Sequence, residues 1–300
     1  MILFLYLLLC VLFSEDTKAQ TLPSHNALRV LIVSDEVNPH NLTDEELTQP
    51  GDISQALAST SSLNTSAISE FSTDQLEQAT VELLHLNTDP MFYDILIYFA
   101  HRNPSNGNNA QQRQEEFVNA VEFFLINGGG VIAFHHGIYL GQGKQSIQNL
   151  FGAQATGSVP WDTKNGQDVI FVGGEHFIGS NNINYPLQIA YENTKNGIDE
   201  SIYPAFNNTP DERYPNTELF EDSENCNKKI LFESDYVNNG NQHLLGYTKY
   251  CDNWLSEVFM YQPGEYQPHA FSGNNFQILL NAIYYLSNNR WDIIFSSGFE

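Results

Sequence analysis

Three apolar runs constrain this chain most: RVLIVSD (29–35), DILIYFAH (94–101) and GVIAFH (130–135), each closing on a polar or titratable residue. Short continuous apolar runs of this kind are strands buried on both faces, the pattern of a parallel sheet covered by helices. The intervening sequence supplies the covers. Residues 51–60 and 73–84 carry helical spacing around a strand-like SAISEF (66–71). In QQRQEEFVNAVEFFLING (111–128), Phe117, Val121, Phe124 and Leu125 repeat at helix spacing and Gly128 suits a C-cap. The alternation predicts an α/β three-layer sandwich with a mostly parallel central sheet. Ligands of such sheets bind beyond the carboxyl ends of the strands. Asp35, His101 and His135 all stand at such ends.

Beyond Gly152 the pattern loosens. DVIFVGG (168–174), LQIAY (187–191) and EVFMYQPG (257–264) supply further strands, and FQILLNAIYYLSNN (276–289) a closing amphipathic helix. With no internal repeat and no linker rich in Pro, Gly or Ser, residues 27–290 are expected to form one domain. Cys226 and Cys251 bracket two strand-like runs, KILFESDYV and HLLGYTKY, joined by NNGNQ. A hairpin would bring its outer ends together and pair the two cysteines; the alternative is two buried free thiols.

Charge narrows the partners. With 36 Asp and Glu against 12 Lys and Arg, the net charge is -24, so nucleic acid and anionic membranes would be repelled. Neutral ligands and cations remain. The apolar run ILFLYLLLCVLF followed by SEDTKAQ reads as a signal peptide over residues 1–19, cleaved after Ala19 and leaving no membrane insertion. The expected location is secreted or periplasmic, where an even cysteine pair would oxidise. Residues 291–300, ending in GFE, resemble the short C-terminal sorting tags of some exported bacterial proteins. Oligomeric state is not legible.

In AFHHG (133–137), Ala133 and Gly137 flank His135 at the two positions where a nucleophile elbow needs small side chains. The turn is expected to expose the His135 imidazole to an open hollow. His136, one residue on, is expected to point elsewhere, into packing or a capping bond. Glu175-His176, adjacent on one strand, cannot easily share an ion.

GGGVIAFHHG resembles the GGG-x-x-x-x-H motif of the ThuA-like (trehalose utilisation) family. FYDILIYFAH, QNLFGA (148–153) and EVFMYQPGEYQPHAFSGNNFQILLNAIYYL resemble further family segments. NGIDESIYPAFNNTPDERYP (196–215) is similar to the family's DE-x-Y block at Gly197, Phe206, Asp211, Glu212 and Tyr214. The resemblance spans most of residues 29–289 and implies the flavodoxin-like, class I glutamine amidotransferase-like fold. It further implies a carbohydrate ligand, a sugar or keto-sugar. The chain departs from the family pattern at Glu192-Asn193, where His-Pro is usual, and at Gly264-Glu265, where Gly-His is usual.

No cysteine stands at the elbow, so a glutaminase is excluded. The expected catalytic set is His135 as general acid/base with Asp211 or Glu212 as acidic partner. Asp35, His101, His136, Tyr214, Glu265 and His269 are the candidate substrate-binding residues. No cofactor is firmly implied; a zinc-dependent version would use His101 and His135 with a carboxylate. The competing class is a non-catalytic sugar-binding or interaction domain, which the two departures favour.

Overall fold

A computed structural model describes residues 28–35, 46–84, 93–103, 109–157, 167–208, 210–238 and 241–297. The expected signal peptide lies outside them, as do residues 298–300 of the tail; the closing helix, Gly273–Ser297, takes in the rest of the tail.

The strands in chain order are β1 (Leu28–Ser34), β2 (Thr65–Ser72), β3 (Ile95–Tyr98), β4 (Gly130–Phe134), β5 (Ala153–Thr156) and β6 (Asp168–Phe171). They continue as β7 (Leu187–Asn193), β8 (Ile198–Asn207), β9 (Asn216–Leu219), β10 (Cys226–Asn238), β11 (Asn241–Cys251) and β12 (Val258–Tyr261). Ten of them form one sheet in the order β2-β1-β3-β4-β12-β11-β10-β6-β8-β7, while β5 and β9 form a separate antiparallel ribbon.

The parallel expectation holds for half of this sheet. Four pairings, β1–β2, β1–β3, β3–β4 and β4–β12, are parallel. The other five are antiparallel, so the large sheet is mixed and mostly antiparallel. The correction has a local cause. After β4 the chain supplies hairpins, and only β12 returns as a crossover strand, docking parallel to β4 on one side and antiparallel to β11 on the other.

The period-2 alternation of the parallel strands divides the core. Leu31, Val33, Leu96, Tyr98, Val131, Ala133, Val258 and Met260 face one side, where Ala79, Leu83, Phe117, Val121 and Phe124 of helices Leu76–Leu84 and Ala110–Ile126 cover them. Val30, Ile32, Ile95, Ile97, Ile132, Phe134, Phe259 and Tyr261 face the other, under Ile53, Leu57, Ile278, Ala282 and Ile283 of helices Asp52–Ser59 and Gly273–Ser297. Cys226 and Cys251 pair directly across β10–β11 and are bonded. No helix among the described residues is long and apolar enough to cross a membrane.

Candidate metal centre

The elbow is present. β4 ends at Phe134, and His135–Ile138 turn as a single 3₁₀ segment. His135 takes φ 40°, in the left-handed region that β-carbons disfavour. A Cβ at Gly137 would lie 2.8 Å from the Tyr98 carbonyl oxygen and 3.3 Å from Ala133 Cβ, so both small residues are required by contact. Beneath the turn, the fully buried Lys144 donates from Nζ to the carbonyls of Ala100 (2.7 Å) and His136. Burial pulls this ammonium down to about 7, against the opposing pull of Asp35.

The expected exposure of His135 is overturned. Its ring is 0% exposed, and so is that of His136. The neighbours are acids and aromatics rather than water. Nδ1 lies 2.6 Å from the Gln262 carbonyl, which can only accept, so Nδ1 carries the proton. Nε2 faces Glu212 Oε2 at 3.3 Å, Glu265 Oε2 at 3.5 Å and the Tyr214 hydroxyl at 3.0 Å. Burial alone would lower the imidazole pKa; Glu212, Glu265 and Asp211 outweigh it and carry His135 up to about 9. The same burial, with Glu212 and Glu265 alongside, lifts the Tyr214 phenol well above its usual value.

His136 corrects a second expectation. Its Nε2 lies 3.2 Å from Glu265 Oε2, pointing into the cluster. His135, His136, Glu212 and Glu265 thus each bring one donor atom to a common point, all within 4.8 Å of one another and all buried. The zinc expectation named His101 with His135; the structure instead sets the His101 ring edge-on to His136 and tilted against Tyr139, at 5.1 and 4.6 Å between centroids. This pairing is corrected because His101 packs as a wall.

Asp211 changes role as well. Oδ1 accepts the backbone N–H groups of Glu212 (2.9 Å), Glu265 and Tyr266 (both 3.0 Å), while Oδ2 accepts Gly264 N–H (3.0 Å) and Asn208 Nδ2 (3.1 Å). A carboxylate so occupied serves as a clamp in this fold. It ties the DE-x-Y block to the end of β12 and brings Glu212 and Glu265 together. Asn208 is held in turn by Asn275, which accepts from Tyr261.

Asp35 is buried and accepts the N–H groups of His101 (2.6 Å) and Arg102 (3.4 Å), bracing β1 against the end of β3. It lines a separate hollow of 590 Å³ with Ser34, Glu70 and Asp74. The backbone of His269 lies in the short helix Gln267–Ala270, and its side chain is outside the described residues. His176 caps the helix Phe177–Ser180 and packs on Tyr285, away from the cluster. Gln262 and Lys144 were missed by sequence reasoning. Nothing in the sequence marked Gln262; for Lys144 the one available signal was a lysine nine residues past His135 in a chain with few cations.

The donor set fits a divalent ion. Two imidazole nitrogens and two carboxylate oxygens are the mixed N/O set of zinc, and a tetrahedral shell at ~2.0–2.2 Å spaces its donors about 3.3–3.5 Å apart. Three of the six donor separations, 3.3, 3.5 and 3.2 Å, lie near that spacing, and all six fall within 4.8 Å, so a bound ion would draw the widest pair inward. The Nδ1–H to carbonyl bond of His135 fixes the ring so that Nε2 would face a bound ion.

No family model matches the chain, and no curated protein matches it. Among solved structures it is similar to a ThuA-like protein from Bacteroides uniformis, at 15% identity, TM-score 0.53, covering 89% of this chain and 95% of that one. It also aligns to a β-galactosidase from Bacillus circulans sp. alkalophilus at TM-score 0.49 and 10% identity, over 88% of this chain and 31% of that one. A glutamine amidotransferase from Thermotoga maritima aligns at TM-score 0.38 and 11% identity, over 92% and 87%. The chain therefore shares the fold of a ThuA-like protein.

Proposed function

We propose that the protein is a metal-holding, carbohydrate-directed ThuA-like protein, exported to an oxidising compartment. The observation that carries this reading is the convergence of His135, His136, Glu212 and Glu265 donors within 4.8 Å. The fold shared with a ThuA-like protein and the net charge of -24 support a neutral ligand, and the Cys226–Cys251 bond suits export.

His135 and His136 would contribute Nε2, and Glu212 and Glu265 one oxygen each. When bound, such an ion supplies positive charge that polarises a ligand oxygen or acidifies a water. The chain's own part is to exclude solvent, to hold Nδ1 of His135 on Gln262 and to place the Tyr214 hydroxyl beside the donor set. A shell closed by four protein donors stabilises structure, whereas turnover needs an open position. The geometry therefore favours binding over catalysis unless one carboxylate stays off the metal and serves as a base.

Elemental analysis of protein purified without chelator tests the first half; about one metal per chain, and a melting temperature lowered by chelator and restored by zinc, are expected. No bound metal and no response to zinc would overturn it. Turnover of disaccharides and 3-keto-glycosides by wild type and by His135→Ala separates enzyme from binder, since equal product from both removes His135 from the chemistry.

A further inference from the structure

A second hollow, of 480 Å³, lies beside the ribbon that Tyr214 leads into. Its size falls within the ~300–1,000 Å³ of small-molecule sites. Polar side chains of Thr156, Asn196, Asn216 and Thr217 line it, with one cation, Lys195, and one anion, Glu218. Pro215, Leu219 and Leu244 add apolar surface. Neutral amides and hydroxyls that both donate and accept, set against an apolar floor, suit a ligand with many hydroxyls and C–H faces. An anion finds one lysine there, offset by the glutamate and by the acidic whole.

Two of the polar groups are fixed from behind. Asn196 Nδ2 donates to Glu233 Oε1 at 2.6 Å, and this buried carboxylate also takes the Tyr191 hydroxyl (2.7 Å) and Asn193 Nδ2 (2.8 Å). Glu233 pairs in register with Leu244, so the floor and the brace share one hairpin. Thr217 Oγ1 donates to the Tyr214 carbonyl (3.2 Å) and accepts from Gln262 Nε2 (3.4 Å). Gln262 holds His135 at Nδ1, and Tyr214 meets its Nε2 alongside Glu212. A ligand on Thr217 therefore touches the frame of the metal centre.

We infer that this hollow, bounded by Thr156, Asn196 and Asn216–Leu219, is the binding site for a neutral saccharide of about disaccharide size, coupled to the His135 centre through Thr217, Tyr214 and Gln262. Binding in this hollow rests on the carbohydrate half of the reading above; only the coupling rests on its metal half. Coupling is reciprocal: if zinc changes saccharide affinity, the saccharide changes zinc affinity by the same factor.

The test is titration calorimetry of the full chain, zinc-loaded and chelated, with trehalose, cellobiose and glucuronate as ligands. Wild type is expected to bind a neutral disaccharide. Asn196→Ala should weaken it about tenfold, and Asn216→Trp, which fills the hollow, should abolish it. Asp74→Trp, in the other hollow, should leave it unchanged, and circular dichroism checks that each variant folds. Equal binding by wild type and Asn216→Trp overturns this site while leaving the carbohydrate reading intact. Preference for glucuronate overturns the ligand class. No saccharide binding by zinc-loaded wild type removes both the site and the carbohydrate reading, and elemental analysis still decides the metal separately.

Discussion

Replacing Asp211 gives the sharpest test of how the centre is assembled. Its carboxylate is 3% exposed and accepts four backbone N–H groups and one side-chain amide. Asp211→Asn keeps the shape and one acceptor oxygen. If that oxygen stays on the three N–H groups at Oδ1, the new NH₂ meets Gly264 N–H and Asn208 Nδ2, donor against donor. Asn208 cannot flip to accommodate it, because its Oδ1 already accepts Asn275 Nδ2 at 2.7 Å. Two buried donors without acceptors cost ~1–3 kcal/mol each, a simple sum of about 2–6 kcal/mol, which relief of carboxylate desolvation lowers to about 2–4 kcal/mol. Asp211→Ala abandons all five. The simple sum is lowered because the buried carboxyl, pushed upward in pKa by desolvation, no longer has to be held there. We expect about 4–6 kcal/mol, a large share of the ~5–15 kcal/mol that holds a domain folded. Urea unfolding of chelated protein measures both, and zinc affinity should fall in the same order, since Glu212 and Glu265 lose their common anchor. If Asp211→Asn matched wild type within about 0.5 kcal/mol, or Ala cost no more than Asn, the clamp would be wrong.

Three further outcomes follow from the coordinates. Replacing both cysteines by serine frees a loop with a sequence separation of 25, worth about 3.5 kcal/mol in the chain-entropy account; an unchanged urea midpoint would count against it. Gly137→Ala pushes a methyl to 2.8 Å from the Tyr98 carbonyl, so a loss of ~1–3 kcal/mol and weaker zinc binding are expected, with equal zinc affinity refuting the tight elbow. In chelated protein two pH effects oppose each other. His135, raised to about 9, contributes stability that is full below about 6.5 and lost as pH rises through 9. Lys144, lowered to about 7, is held neutral in the fold, so its contribution grows as pH rises from 7 towards 10.5. Wild-type stability should be nearly flat from pH 7 to 9, whereas Lys144→Met should lose up to ~1.4 kcal/mol per unit; a flat profile in that variant would break the argument.

The parallel half of the sheet was legible because its strands are covered on both faces and so read as unbroken apolar runs. In the outer half β6, β7 and the β10–β11 hairpin were legible as strands, but β8 and the antiparallel pairing into the same sheet were not. β7 is mostly exposed, and β10 shifts register between Ile230 and Val237, so neither shows a clean period of two. At the site, the elbow and the DE-x-Y block each announced themselves, but their meeting point did not. His136 was misjudged because the sequence does not reveal that His135 sits at φ 40°, a turn in which both imidazoles face the same acids. Asp211 looked catalytic because sequence shows a carboxylate and not the five donors it would meet. Glu265 looked like a lost histidine; in space it is a donor in its own right.

β12 has a consequence for how the molecule comes into being. The strand is the seam between the two halves of the sheet, and Glu265 follows it by four residues. The elbow is made when less than half of the chain has been synthesised, yet it lacks its last donor until the final strand slots into a gap both neighbours have left for it. The proposed centre therefore has its full donor set only when the whole sheet is assembled, and a truncation upstream of the seam would leave His135, His136 and Glu212 without their fourth donor.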